Sequence, residues 1–185
     1  MKNKLIVVSG PTASGKTKTS IEIAKHIEKN LNRRAAVVNF DSLLFYKEIS
    51  IGTAKPTMEE RDGIEHHMID IESINSPMNA SGFIKKGEEA ILELFKQDKV
   101  VILVGGSAFY LRALLKGMYE SPTAPKELEE GITEQYKNEG ITPFIEFLKI
   151  NDPQSLINLH ENDHYRLMRA VEYFQLTGNK ISDKK

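Results

Sequence analysis

Three short apolar runs along the chain alternate with stretches of mixed polarity. They cover residues 5–8, 35–40 and 100–104, and the first and third end in the glycine-containing turns Ser9-Gly10 and Gly105-Gly106. Continuous apolar runs rich in β-branched residues are typical of strands that are buried on both faces of a sheet. We therefore predict three such strands, each followed by a helix or loop and not by a hairpin turn.

Helical periodicity fills the intervals between these predicted strands. After Lys16, the residues Ile21, Ala24 and Ile27 recur at helical spacing, and charged residues occupy the opposite side. A second apolar pattern over residues 83–95 precedes the third strand. Strands that alternate with amphipathic helices predict an α/β fold with a parallel sheet flanked by helices, whose ligand crevice lies at the carboxyl ends of the strands.

Beyond Gly117 the pattern becomes entirely helical. Residues 121–125 form a predicted linker, and charged helical patterns follow around residues 128–137 and 143–150. Asn162-Asp163 provides an N-cap for a further helix that Gly178 is placed to end. We expect residues 1–118 to form a P-loop α/β catalytic core, residues 119–160 to form a small all-helical insertion that contacts RNA, and residues 161–185 to return to the core.

Composition places the chain among globular proteins. Of its 185 residues, 40% are hydrophobic and 28% are charged, which argues against disorder. No apolar run approaches the roughly 18 residues that a membrane span needs, so we expect a cytoplasmic protein with no membrane partner. The absence of cysteine excludes disulfides, thiol nucleophiles and cysteine zinc sites.

The charge balance gives no overall attraction to nucleic acid. The net charge of −1 divides into +3 for residues 1–119, with 17 basic and 14 acidic side chains, and −4 for residues 120–185, with 8 and 12. Any RNA partner must therefore be held by local basic groups.

A phosphate-binding motif lies between the first predicted strand and the first predicted helix. The segment fits the pattern G-x-x-x-x-G-K-[ST] and consists of Gly10, Pro11, Thr12, Ala13, Ser14, Gly15, Lys16 and Thr17. Backbone N–H groups and the helix N-terminus bind phosphate oxygens, Lys16 supplies a positive charge, and the Thr17 hydroxyl can ligate Mg²⁺. The motif indicates a diphosphate or triphosphate, and nothing in it selects a nucleoside.

Two further polar segments follow predicted strands. Asp41 comes directly after the second strand, where a carboxylate acts as a turn cap, a ligand to magnesium-bound water, or a general base. Ser107 follows Gly105-Gly106 after the third strand, where the segment is either a simple strand-to-helix turn or a close approach to phosphate. Both lie at the same edge of the predicted sheet as the P-loop.

Two other groups of side chains carry weaker signals. Arg166 and Arg169 are three residues apart on a predicted helix and so share a face, which is either a solvated salt-bridge face or a binding surface. His66-His67 with Asp70 suggests a metal site, but adjacent histidines point in different directions on most backbones. We do not favour a histidine-based metal site.

An ordered series of motifs resembles the tRNA dimethylallyltransferase family, also called tRNA isopentenyltransferases. The resemblance runs from near the N-terminus almost to the last residue. It is carried by the P-loop, by Asp41-Ser42, by Ile51-Gly52-Thr53-Ala54-Lys55-Pro56-Thr57, by His66-His67-Met68-Ile69-Asp70, by Gly105-Gly106-Ser107-Ala108-Phe109-Tyr110-Leu111, and by Asn162-Asp163 through Arg166, Arg169-Ala170-Val171-Glu172 and Thr177-Gly178.

The resemblance implies a substrate and a set of roles. The P-loop would hold the diphosphate of dimethylallyl diphosphate with Mg²⁺ on Thr17, and ATP would not be consumed. Asp41 would take a proton from N6 of an adenosine 3′ to the anticodon, while Lys16, Ser107 (in place of the usual threonine) and Arg166 would support the departing diphosphate. The implied contacts to the anticodon stem-loop of tRNA are Asp41, Ser42, Leu43, Leu44, Tyr165, Arg166, Leu167, Met168 and Arg169.

Three alternatives remain open from the residues alone. They are an adenylate isopentenyltransferase that acts on free AMP or ADP, a P-loop nucleoside kinase, and a chain that binds diphosphate or RNA without turnover. Members of the family usually continue well beyond the segment that corresponds to residues 177–182, so we expect this chain to lack a C-terminal RNA-binding region. We also expect a monomer.

Overall fold

The computed structural model describes residues 5–117, 122 and 124–184 of the chain. It divides into two compact units, residues 1–118 and residues 119–185. Within the described ranges, no helix has the length and apolar character required to cross a membrane. Positions 121 and 123 of the predicted linker lie outside the described residues.

The first unit is an α/β structure built on four parallel strands. The strands are β1 (Leu5–Ser9), β2 (Ala35–Asn39), β3 (Glu65–His67) and β4 (Val100–Gly105), in the spatial order β1-β4-β2-β3. The helices are α1 (Lys16–Leu31), α2 (Met58–Arg61), α3 (Ala80–Lys96) and α4 (Ala108–Lys116), with a 3₁₀ helix at Ser42–Phe45. The predicted parallel α/β fold and its three apolar strands are confirmed.

Helices cover both faces of the central strands, as a parallel sheet requires. Alternate residues of β2 and β4 point to opposite sides. On one side they pack with α1 in a cluster that includes Ile21, Ala24, Ile27, Val37, Ile102 and Val104. On the other side they pack with α3 in a cluster that includes Val38, Phe40, Phe83, Leu94, Val101 and Leu103. These two clusters fix the carboxyl ends of β2 and β4, where the candidate functional residues begin.

Two details of the sheet differ from the sequence prediction. Strand β1 lies at the edge of the sheet, and Leu5 and Val7 on one of its faces are exposed, so burial on both faces was wrong for this strand. The short strand β3 was not predicted. It pairs with β2 at the opposite edge, where Ala36 lies opposite Glu65, and its sequence Glu-His-His has no apolar run.

The described residues of the second unit form the helices α5 (Lys126–Glu139), α6 (Thr142–Asn151), α7 (Pro153–Asn158) and α8 (His164–Thr177), followed by a 3₁₀ helix at Ile181–Asp183. Asp163 caps α8 by accepting a hydrogen bond from the Arg166 N–H, and Gly178 ends the helix in the left-handed conformation, both as predicted. The apolar face of α8 shares a cluster with the helices of the expected insertion, formed by Ile132, Phe144, Leu148, Leu167, Ala170 and Val171. The structure therefore groups residues 161–185 with the helical unit, whereas the sequence analysis assigned them to the α/β core.

A buried carboxylate holds the end of the chain to this helical unit. Asp152 is 1% exposed, and its two oxygens accept hydrogen bonds from the hydroxyls of Ser155 and Ser182, each at 2.5 Å. The Ser182 N–H adds a third bond at 3.2 Å. Desolvation raises the pKa of Asp152, but these hydrogen bonds outweigh it, and the net effect is a lowered pKa.

Candidate active site

The loop between β1 and α1 contains two residues in the left-handed backbone conformation, Gly15 and Ala13. Gly15 stands immediately before α1 with φ +82°, in the left-handed region that disfavours most side chains. Ala13 is also left-handed, with φ +62°. The loop leads directly into the N-terminus of a 16-residue helix whose first turn contains no acidic side chain. This is the arrangement in which helix N–H groups bind anionic oxygens.

Lys16 folds back over the loop that precedes it. Its ammonium group donates a 2.6 Å hydrogen bond to the carbonyl oxygen of Pro11. The positive charge is therefore held at the mouth of the loop, next to the helix N-terminus. Thr17 follows in the first helical turn with its side chain partly buried.

Asp41 begins the turn that follows β2. Its side chain caps the 3₁₀ helix Ser42–Phe45, where one carboxylate oxygen, Oδ1, accepts a 3.4 Å hydrogen bond from the Leu43 N–H. The Asp41 backbone is bound by the side chain of Asn39, the last residue of β2, which is 3% exposed. The cap interpretation of Asp41 is thus correct for Oδ1, while the second oxygen, Oδ2, lies elsewhere.

The end of β4 brings the P-loop and Asp41 together. A β-carbon placed at Gly106 would lie 3.2 Å from the Gly10 carbonyl oxygen, 3.4 Å from Asp41 Oδ2 and 4.0 Å from Lys16 Nζ. The carboxylate and the ammonium therefore face the same small space, which exists because residue 106 has no side chain. Of the predicted site residues, the structure places Gly10, Lys16 and Asp41 around this point.

Gly105 allows the strand end to approach the Asp41 turn. A β-carbon there would lie 2.7 Å from the carbonyl carbon of Phe40 and 2.8 Å from the Asp41 nitrogen, closer than real side chains come. The Phe40 N–H also donates a 2.8 Å hydrogen bond to the Val104 carbonyl. The two-glycine sequence is thus explained by close backbone approach at both positions, to the Phe40–Asp41 peptide at Gly105 and less tightly to the Gly10 carbonyl oxygen at Gly106.

Ser107 occupies the N-cap position of α4. Its carbonyl accepts a 3.1 Å hydrogen bond from the Leu111 N–H, but its hydroxyl makes no capping hydrogen bond. Ser107 directly follows Gly106, the residue beside which Asp41 Oδ2 and Lys16 Nζ both lie. A hydroxyl that does not cap its own helix can donate to a phosphate oxygen.

The other motifs of the first unit support the Asp41 turn. The ammonium group of Lys55 is largely buried and donates hydrogen bonds to the Tyr46 carbonyl at 2.7 Å and to Asp70 Oδ1 at 2.6 Å. The loop after β3 adds backbone hydrogen bonds, from the Asp70 N–H to Leu44 and from the Ile71 N–H to Phe45. These segments therefore stabilise the turn that carries Asp41.

The two adjacent histidines, His66 and His67, form hydrogen bonds with different partners. His66 Nδ1 lies 2.8 Å from the Ile64 carbonyl oxygen, and burial lowers the pKa of His66. His67 Nε2 lies 2.7 Å from Glu65 Oε1. In the part of the chain that the structure describes, no three histidine, aspartate or glutamate side chains are grouped to hold a metal ion.

The remaining predicted RNA contacts lie on α8 in the helical unit. Tyr165 and Arg166 are exposed, and Arg166 Nε lies 3.4 Å from Asp163 Oδ2. Arg169 pairs with Glu172, which is buried. Leu167 is fully buried in the helical cluster, so its side chain is not accessible to RNA in this structure. Met168 packs against the same cluster.

Comparison with known proteins identifies the family. The family model described as IPP transferase matches residues 44–185. The tRNA dimethylallyltransferase of Francisella tularensis subsp. novicida is 38% identical over 182 residues, which cover 98% of this chain and 57% of that protein. The tRNA dimethylallyltransferase 2 of Geotalea uraniireducens is 35% identical over 181 residues, with coverage of 98% and 56%.

Solved structures agree with these relatives. A crystal structure of a eukaryotic dimethylallyltransferase acting on tRNA matches with a TM-score of 0.81 and 26% identity, covering 98% of this chain and 44% of that one. The full-length tRNA isopentenylpyrophosphate transferase of Bacillus halodurans matches with a TM-score of 0.60 and 32% identity, covering 96% and 57%. The chain thus spans little more than half the length of the curated relatives it matches. With a family model that covers most of its residues, the chain belongs to the IPP transferase family.

Proposed function

We propose that this chain carries the prenyl-transfer site of a tRNA dimethylallyltransferase. The reaction transfers a dimethylallyl group from dimethylallyl diphosphate to N6 of the adenosine 3′ to the anticodon and releases diphosphate. The observation that carries the proposal is that Asp41 Oδ2 and Lys16 Nζ both lie within 4.0 Å of the position that a β-carbon would take at Gly106. A base for the acceptor and a cation for the leaving group are both needed, and here they face one space.

The P-loop binds the leaving group. Its backbone N–H groups and the N-terminus of α1 contact the diphosphate oxygens, and Lys16 turns from the Pro11 carbonyl toward them. Negative charge gathers on the diphosphate as the allylic carbon–oxygen bond breaks. Preorganised donors at this point stabilise the transition state more than the bound substrate. Ser107 adds a hydroxyl at the same edge.

Asp41 serves the acceptor. The bond from N6 to the allylic carbon forms as the bond from that carbon to the diphosphate oxygen breaks, and N6 must then lose a proton. Asp41 Oδ2 accepts this proton, because it faces the space at Gly106 while Oδ1 is turned to the Leu43 N–H. The exocyclic amine of adenine is a weak nucleophile, so a positioned carboxylate contributes while the new bond forms.

The donor set suits Mg²⁺. The Thr17 hydroxyl and the diphosphate provide oxygen ligands only, which is the chemistry that Mg²⁺ prefers, and this ion retains several waters when it binds. Thr17 would hold the ion from the first turn of α1. When bound, Mg²⁺ neutralises part of the diphosphate charge.

The helical unit is the proposed contact for the anticodon stem-loop. Arg166 and Tyr165 present an exposed cation and an exposed aromatic ring on α8, which are the side chains that bind RNA phosphates and unstacked bases. In the first unit, Leu43 is exposed beside Asp41 and provides an apolar surface next to the reacting base. We propose that the chain acts as a monomer.

A transfer assay with competing acceptors tests the proposal. The chain is incubated with labelled dimethylallyl diphosphate, Mg²⁺ and either an unmodified anticodon stem-loop or AMP. Label in the stem-loop alone is expected. Label in AMP alone would identify an adenylate isopentenyltransferase, and thermal stabilisation by ATP and Mg²⁺ but not by dimethylallyl diphosphate would identify a kinase. Binding of dimethylallyl diphosphate without product in either acceptor would overturn catalysis by this chain and leave a binding role.

A further inference from the structure

The buried side chain of Asn39 makes three hydrogen bonds at the Asp41 turn. Asn39 Oδ1 accepts the Asp41 N–H at 2.9 Å. Asn39 Nδ2 donates to the Asp41 carbonyl and to the Met68 carbonyl, both at 3.0 Å. An N–H can only donate and a carbonyl can only accept, so these partners fix which amide atom is oxygen and which is nitrogen.

These bonds hold the backbone of Asp41 on both of its sides. One amide group binds the nitrogen and the carbonyl of the same residue and ties them to the loop that follows β3. From the other direction, the backbone of Gly105 presses against the Phe40–Asp41 peptide, with no room for a β-carbon. The Asp41 backbone is therefore fixed by a polar clamp and by a steric contact.

The fixed backbone limits the orientation of the Asp41 carboxylate. With the backbone fixed, Oδ1 is turned to the Leu43 N–H and Oδ2 to the space at Gly106. A partly exposed aspartate at a strand end would otherwise sample several side-chain rotamers, and each rotamer would place Oδ2 at a different distance from the acceptor. Reaction rates depend steeply on such distances.

We infer that Asn39 is a positioning residue for prenyl transfer, which acts by fixing Asp41 so that Oδ2 faces the reacting nitrogen. The inference rests on the proposed function, since Asp41 is its base. Asn39 itself is 3% exposed and lies beneath the turn, out of reach of the substrate. Its removal should therefore lower the rate of the chemical step while the diphosphate site stays intact.

A double-mutant cycle tests this role in the 185-residue chain. Asn39→Ala is expected to lower kcat by about 10- to 100-fold, with KM for dimethylallyl diphosphate changed by less than about threefold. In an Asp41→Asn background, the same substitution should change the residual rate by less than about threefold, because the carboxylate it positions is already absent. An equal loss of rate in both backgrounds, or a loss confined to KM, would overturn the positioning role.

The matched control is Asn79→Ala. Asn79 is another asparagine whose side chain accepts a backbone N–H, from Gly82 at 2.8 Å, but its role is to cap α3. The variant should lose a helix cap, with kcat within about twofold of the parent chain. A similar loss of kcat in both alanine variants would mean that Asn39 only stabilises the fold.

Hydrogen exchange provides a readout that does not depend on turnover. In Asn39→Ala the Asp41 amide should exchange at least about tenfold faster than in Asn79→Ala, while amides of β2 and β4 keep their protection. An Asp41 amide that remains protected would contradict the clamp. If the parent chain transferred no prenyl group, the proposed function would fail, while this exchange result would still decide whether Asn39 holds Asp41.

Discussion

Asp41 Oδ2 lies 3.4 Å from the position that a β-carbon would take at Gly106. The same position is 4.0 Å from Lys16 Nζ, so the space between base and cation depends on the absence of one methyl group. These two distances are ordinary van der Waals contacts, but the same β-carbon would lie 3.2 Å from the Gly10 carbonyl oxygen, so alanine fits only if the backbone shifts by a few tenths of an ångström. In the proposed reaction, it would nevertheless occupy volume that the acceptor amine and the allylic carbon need.

Gly106→Ala is therefore expected to separate activity from stability. We expect the free energy of unfolding to fall by about 1 kcal/mol, because the 3.2 Å contact with the Gly10 carbonyl oxygen is tight but needs a shift of only a few tenths of an ångström. The transfer rate should fall by at least about 10-fold, since the reacting groups are displaced. Denaturant unfolding and single-turnover transfer measure the two effects, and an unchanged rate would mean that the reaction takes place elsewhere.

Gly105→Ala is expected to destabilise the fold more than Gly106→Ala does. The added β-carbon would lie 2.7 Å from the Phe40 carbonyl carbon, so strand β4 or the Asp41 turn must shift. Such overpacking costs about 1–3 kcal/mol of unfolding free energy. The unfolding free energies of Gly105→Ala and Gly106→Ala are compared by denaturant unfolding. Equal stability of the two variants would contradict the close backbone approach at Gly105.

Lys16→Ala is expected to weaken binding of inorganic pyrophosphate. A charge-assisted hydrogen bond contributes about 1.5–3 kcal/mol, which corresponds to roughly a 10- to 100-fold rise in Kd. Lys18→Ala is the matched control, because Lys18 lies two residues further along α1 and is exposed. Isothermal titration calorimetry with Mg²⁺ present should give a Kd for Lys18→Ala close to that of the parent. Equal weakening in both variants would indicate a general charge effect.

Asp152→Asn is expected to destabilise the chain by about 1–3 kcal/mol, because one of the two oxygens that accept from Ser155 and Ser182 becomes an amide nitrogen, which cannot accept. The lowered pKa of Asp152 sets the pH dependence. Its contribution should be fully present above the ordinary aspartate pKa of about 4 and should disappear as the pH falls through the lower folded-state pKa.

The check is the difference in unfolding free energy between the parent and Asp152→Asn, measured from about pH 7 downward. Asp183→Asn is the control, since Asp183 is an exposed neighbour of Ser182. The difference for Asp152→Asn should stay constant to about pH 5 and shrink below about pH 4. A difference that grows on acidification would have the wrong sign for a depressed carboxyl pKa.

The sequence was informative where hydrophobic pattern and chain order act together. Buried runs identified β2 and β4, and a parallel sheet necessarily brings the carboxyl ends of its strands to one edge. These two facts are sufficient to predict that Asp41, Ser107 and the P-loop lie near each other. The resemblance to the family then assigned chemistry to these positions.

Other features could not be read from the sequence because their causes are tertiary. Strand β3 is short and polar, and only its pairing with β2 defines it. In the sequence, Asn39 resembles any polar residue at a strand end. Its inferred role depends on a tertiary contact, the hydrogen bond to the Met68 carbonyl in the loop after β3. The helical pattern of α8 correctly predicted an apolar face with Leu167, but a pattern does not identify the partner helices, and so residues 161–185 were assigned to the other unit.

The central claim is that Asp41 acts on the acceptor while the P-loop holds the diphosphate, and Asp41→Ala tests it most directly. Prenyl transfer from labelled dimethylallyl diphosphate to the anticodon stem-loop and equilibrium binding of pyrophosphate are measured on the same preparation. We expect a loss of transfer of at least about 100-fold, with a Kd for pyrophosphate within about threefold of the parent chain. Transfer retained within about threefold of the parent rate would contradict the assignment of Asp41 as the general base.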